Sequence, residues 1–151
     1  MKNYYKFAIL LLTSIFISAA CAPVKSGRES TDQKLAESVV ERFHELYNEQ
    51  NYEEIYNQAH EDAKQKKTKE ALGLALAERF GELGRFVSSE LVYTKVQPVA
   101  GNERQVEFVY LSKFEKGTRN ETFLIVTDDR KGALHSIGEL TDEELNKLKS
   151  E

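Results

Sequence analysis

Three histidines, seven tyrosines and a single cysteine carry most of the chemistry open to this chain. His44 stands between Phe43 and Glu45, His60 opens the polar run His60-Glu61-Asp62, and His135 shares a side of its segment with Ile137 and Glu139. No two of them stand at i, i+4 or in the His-Glu-x-x-His pattern of a helical metal site. No metal, cofactor or catalytic residue is therefore assigned. His135 with Tyr110 or Tyr93 is the pair best placed to meet, since both partners could face one interior space. Tyr47, Tyr52, Tyr56, Tyr93 and Tyr110 could line a pocket for a small amphipathic ligand, although aromatic residues in a small domain more often fill its core with the hydroxyl at the edge. Asp128-Asp129 is explained by turn chemistry rather than by a cation. Lys64, Lys66, Lys67 and Lys69 would suit an anionic partner or lipid headgroups, yet such a cluster more often is a solvated loop, favourable after a helix. The chain has no Gly-rich phosphate loop, no Gly-x-Ser-x-Gly elbow and no second cysteine for redox work.

The elements that must position these residues follow from hydrophobic period. A helix is expected from Ser30–Asp32, with Ser30 and Gln33 as a capping box and Asp32 as a competing cap. Leu35, Ala36, Val39, Val40, Phe43, Leu46 and Tyr47 form its buried stripe, with His44 placed off it. Asn51 with Glu54 restarts a short second helix through Ala59. Thr68 with Ala71, Leu72, Ala75, Leu76, Arg79, Phe80 and Leu83 gives a third, whose alanines suggest close packing and whose C-cap is Gly84 in αL geometry. The period then changes to 2. Four strands are expected at Phe86–Val96, Arg104–Phe114, Glu121–Thr127 and Ala133–Leu140, joined as antiparallel hairpins with turns at 100–103, 115–120 and 128–132. Thr141 with Glu144 is a second capping box, opening a short terminal helix. The fold class is α+β, with helices packed on one face of a curved antiparallel sheet.

The first twenty residues place Lys2 and Lys6 before an apolar run from Phe7 to Ile17 and a small-residue exit, the parts of a secretory signal. The run is too short to span a bilayer, which takes about 20 residues. Ser18-Ala19-Ala20-Cys21 resembles the lipobox of bacterial lipoprotein precursors. That resemblance implies cleavage before Cys21, a diacylglycerol thioether on its sulfur, and often acylation of the new amino group. It also implies a cell-envelope location, on the outer membrane facing the periplasm in a Gram-negative host, because Ala22 and not aspartate follows the cysteine. Residues 21–31 then read as the lipidated cysteine and a flexible tether, and 32–151 as one domain.

That domain resembles the NTF2-like, or cystatin-like, envelope proteins, including lipoprotein families described only as domains of unknown function. The residues that carry the likeness are Phe43-x-x-x-Tyr47, Asn51-Tyr52-Glu53-Glu54-Ile55-Tyr56, Phe80-Gly81-Glu82-Leu83-Gly84, Val106-x-Phe108-x-Tyr110 and Glu121-Thr122-Phe123. The family fold often holds a ligand in a cone between sheet and helices.

Without the leader the chain carries 19 Lys+Arg against 25 Asp+Glu, a balance of −6. This argues against nucleic acid, which calls for a basic stripe, and leaves any membrane link to the lipid. The expected function is a non-catalytic envelope lipoprotein binding a protein partner or small ligand. One alternative is a small enzyme of the ketosteroid-isomerase-like kind, with Tyr93, Tyr110 and His135 about an open cone. The other is a module that dimerises through its sheet, which would leave Val109 and Leu111 exposed in the monomer.

Overall fold

The computed structural model describes residues 27–150, so Cys21 and the leader expectations lie outside the described residues. Five helices and four strands follow in the order α1 (Gly27–Asn48), α2 (Tyr52–Gln58), α3 (Glu61–Lys66), α4 (Lys69–Leu83), β1 (Phe86–Pro98), β2 (Arg104–Phe114), β3 (Gly117–Thr127), β4 (Gly132–Leu140) and α5 (Asp142–Leu148). The strands form one antiparallel sheet in the order β1-β2-β3-β4, every neighbour in space being a neighbour in sequence. The α+β class is as expected, with an added helix, α3, where a basic connection was anticipated.

Helix α1 begins before the expected start, so Gly27–Thr31 are helical and not tether. Tertiary partners hold this extra turn where a local cap was foreseen. Arg28 Nη2 donates to Asn102 O at 3.0 Å and pairs with Asp129 Oδ1 at 2.8 Å. Asp32 is no cap but a buried residue inside the helix, whose Oδ1 accepts from Thr127 Oγ1 at 3.1 Å. Asp128 closes its own turn, Oδ1 accepting from the backbone of Arg130 and Lys131.

The Asn51 cap forms as its residue type demands, Oδ1 accepting from Glu54 N at 3.3 Å. Between α2 and α3 the backbone runs beside β4: Ala59 bridges Leu134 in parallel, and His60 N donates to Leu134 O at 2.8 Å. Thr68 caps α4 through Ala71 N. The α4 alanines do not pack as expected: Ala71 and Ala75 face solvent, with Leu74 beside them 74% exposed. Gly84 ends α4 with φ 72° and ψ −156°, a conformation essentially confined to glycine but not αL. Only Glu115 and Lys116 separate β2 from β3, so the third strand starts four residues earlier than its apolar run suggested. The Thr141–Glu144 capping box is complete, and Asn120 Nδ2 ties β3 to α5 through Asp142 Oδ1 at 2.8 Å.

The space between helices and sheet is packed. Phe43 meets Phe123 edge-on at 5.4 Å, and Tyr47 lies 5.4 Å from Phe80 and 5.9 Å from Phe114. Val106, Phe108, Phe123 and Ile125 complete the sheet side, all fully buried. Each contributes about 1.5–3 kcal/mol by leaving water.

Candidate functional site

Behind this apolar layer lies a polar cluster that sequence pattern did not assemble. Glu121, from the interior face of β3, is 0% exposed. Its Oε1 accepts from Arg79 Nη2 of α4 at 2.7 Å, and His44 Nε2 of α1 lies 2.9 Å from its Oε2. A carboxylate paired with a guanidinium only accepts, so the His44 nitrogen is the donor. Arg79 Nη1 also holds Glu139 Oε1 on β4 at 2.7 Å, and its guanidinium sits 5.4 Å above the Phe114 ring. Four elements, α1, α4, β3 and β4, are thereby locked by charge-assisted bonds.

His44 also belongs to an open groove of about 730 Å³ between α1 and β1, well inside the roughly 300–1,000 Å³ of ordinary ligand sites. Its imidazole stacks on Phe86 at 3.7 Å, with Val40, Leu91 and Tyr110 continuing the apolar floor. Glu37, Glu41 and Glu45, one helical turn apart along α1, form the rim. Arg42 answers Glu45 at 2.9 Å, and Gln33 donates to Glu37 at 3.0 Å. The Tyr110 phenol is pushed up to about 12, by burial first and then by the negative field of Glu37 and Glu41. The carboxylates therefore act on the groove floor as well as on solvent. At the far end Asn48 holds the start of β1 by both backbone groups, accepting from Phe86 N at 2.7 Å and donating to Phe86 O at 3.0 Å. The arrangement can bind an apolar body carrying positive charge.

The expected trio of Tyr93, Tyr110 and His135 does not converge. Tyr93 opposes Val109, which opposes Thr122, on the face of the sheet turned away from α1. Irregular register between Leu91 and Tyr93 shifts β1 by one residue, which a period-2 count along the strand cannot register. Tyr110 belongs to the α1–β1 groove, and His135 to a separate cavity bordered by α2, α3 and β4. On the outer face Val109 is 0% exposed and Leu111 44%, so the two exposed apolar positions expected of a dimerising sheet reduce to one.

The signals for the buried cluster were present. His44 lies four residues after Val40 and three before Tyr47, on the stripe and not off it as placed. Arg79 follows Leu76 at i+3, and Glu121 alternates with Phe123 and Ile125. A strongly polar residue on each of three apolar stripes is the sign of a shared buried network. Among the described residues no three His, Cys, Asp or Glu side chains gather as a metal site requires, and no helix is long and apolar enough to cross a membrane. No protein-family model matches the chain, and no curated protein matches it.

Proposed function

We propose that this chain is a bacterial envelope lipoprotein, anchored through lipid on Cys21, whose NTF2-like domain is a non-catalytic binding module. Its ligand or protein partner, apolar with positive charge, lies in the α1–β1 groove. The observation that carries the binding half is the contrast between two spaces. The interior between helices and sheet is filled with aromatic rings, while the α1–β1 groove is open, apolar-floored and rimmed by Glu37, Glu41 and Glu45. The anchoring half rests on Ser18-Ala19-Ala20-Cys21 and the leader before it. Two or three acyl chains at about 0.8 kcal/mol per buried CH₂ would hold the domain permanently at a bilayer. The helices-then-meander order supports the NTF2-like assignment, which remains an argument from architecture.

Two measurements test the halves separately. Cys21→Ser is expected to abolish incorporation of a labelled fatty acid and to shift the chain out of the detergent phase; unchanged membrane fractionation overturns the anchor. A short peptide alternating leucine and lysine is expected to shift the backbone signals of Glu41, Ser89 and Tyr110 saturably. Glu37→Gln with Glu41→Gln should weaken it about tenfold, the loss expected from one or two charged contacts. Equal binding of a leucine–glutamate peptide overturns the groove assignment.

A further inference from the structure

A second, smaller cavity of about 220 Å³ opens where α2 and α3 meet β4. Tyr56, Ala59, Leu72 and Ile137 supply apolar walls; Lys66, Lys67, His135 and Ser136 supply polar groups, and no carboxylate lines it. Its volume falls below the roughly 300–1,000 Å³ of sites for drug-sized ligands, so its occupant is small.

The chain builds this corner by a break in the sheet. Leu124 opposes Ser136 and Ile125 opposes Leu134, so His135 is the extra residue of a β-bulge. Bulges re-aim side chains and recur beside functional sites. Here the imidazole meets α3, with Lys66 Nζ 3.4 Å from His135 Nε2 and the His60 ring 6.1 Å away. An ammonium group only donates, so Nε2 is the acceptor and the ring hydrogen sits on Nδ1. That Nδ1 is buried and has no hydrogen-bond partner. Burial first, then Lys66 and His60, hold the imidazole below its ordinary range against the opposing Asp62, which keeps the ring neutral at pH 7. The basic cluster divides accordingly. Lys64 and Lys69 are answered by Glu61 and Glu53 at 2.9 and 2.8 Å, while Lys66 and Lys67 border the cavity. Donors thus outnumber acceptors at a mostly apolar site.

We propose that this cavity binds a small carboxylate with an apolar body, such as a medium-chain fatty acid or an aryl acid. The carboxylate accepts hydrogen bonds from Lys66 and Lys67, with His135 Nε2 holding the Lys66 ammonium in place, and the hydrocarbon lies against Tyr56, Leu72 and Ile137. Charge-assisted bonds from two ammonium groups suit a carboxylate better than an alcohol or amine of equal length.

The test is a titration of the full chain with octanoate and, separately, with octan-1-ol, following the methyl signals of Leu72 and Ile137. Octanoate is expected to move them saturably, with octanol binding at least about tenfold more weakly, the loss of a charged hydrogen-bonding partner. His135→Phe and, independently, the exposed substitution Lys67→Met should each weaken octanoate and leave octanol unchanged. Equal affinities for acid and alcohol, saturable shifts confined to other parts of the domain, or no saturable binding would each overturn the assignment. The leucine–lysine peptide reports on the α1–β1 groove alone, so failure here leaves that groove's test standing.

Discussion

Removing Arg79 should reveal how strongly the buried charges are coupled. In Arg79→Met a methionine of similar length replaces the guanidinium, and Glu121, fully buried, keeps only the His44 contact of the two described. Breaking a buried ion pair from one side costs about 3–5 kcal/mol, because the surviving charge stays desolvated. Glu139 is less affected, being 39% exposed and also within 3.4 Å of Arg119, so the lower half of that range is expected. Against a typical stability of about 5–15 kcal/mol, this is a large share, corresponding to a fall of about 10–15 °C in Tm for a domain of this size. Glu121→Leu should cost less, since Arg79 retains Glu139. The double variant Arg79→Met with Glu121→Leu should be more stable than Arg79→Met alone, an apolar pair replacing a stranded charge. Urea unfolding of the four proteins at pH 7 gives the coupling free energy, expected at about 2 kcal/mol or more. A cost for Arg79→Met below about 1 kcal/mol, or additivity within about 0.5 kcal/mol, would refute the account of a tightly coupled interior network.

Two further outcomes follow from local geometry and from titration. Gly84→Ala should destabilise by about 2–3 kcal/mol, because at φ 72° the added Cβ would lie 2.6 Å from Glu115 Oε2. That oxygen is engaged by Arg85 N at 3.0 Å and cannot simply retreat; a thermal melt indistinguishable from the parent would contradict this. Tyr47 and Tyr110 are each pushed up to about 12 by burial. Between the ordinary phenol value near 10 and about 12 the folded state binds more protons than the unfolded one, so stability is full below pH 10 and falls as pH rises through this window. Ultraviolet difference spectra should show these two tyrosines ionising late and together with unfolding. Tyr110→Phe should flatten the slope, and an unchanged slope in that variant would exclude the phenol.

Much of the architecture was legible because it depends on period and punctuation. The stripe of α1, the Asn51 and Thr68 caps, the Thr141–Glu144 box and the alternation in β2 are local patterns, and each appears where its residues place it. What escaped depends on registers and partners remote in sequence. The bulges that turn Tyr93 outward and set His135 toward α3 change a strand's parity without any glycine or proline to mark them. The helical turn at Gly27–Thr31 owes its place to Asp129, Asn102 and Thr127, about 70–100 residues further along the chain. His44 and Glu121 are 77 residues apart. Reading one element at a time set His44 off its stripe and left Arg79 and Glu121 without the partners that bury them.

The order β1-β2-β3-β4 separates two kinds of closure as the chain folds. Each strand meets its neighbour across a short connection, while α1 joins the sheet through pairs such as Asp32–Thr127, 95 residues apart. With chain closure scaling as (3/2)RT ln n, bringing those ends together costs about 2.5 kcal/mol more entropy than closing a five-residue loop. The meander can therefore zip locally, and docking the first helix onto it is the slow, long-range event. An emerging chain produces α1 before the sheet, so Phe43 stays uncovered until Phe123 of β3 is in place, while Tyr47 waits only for Phe80 of α4 and Phe114 of β2.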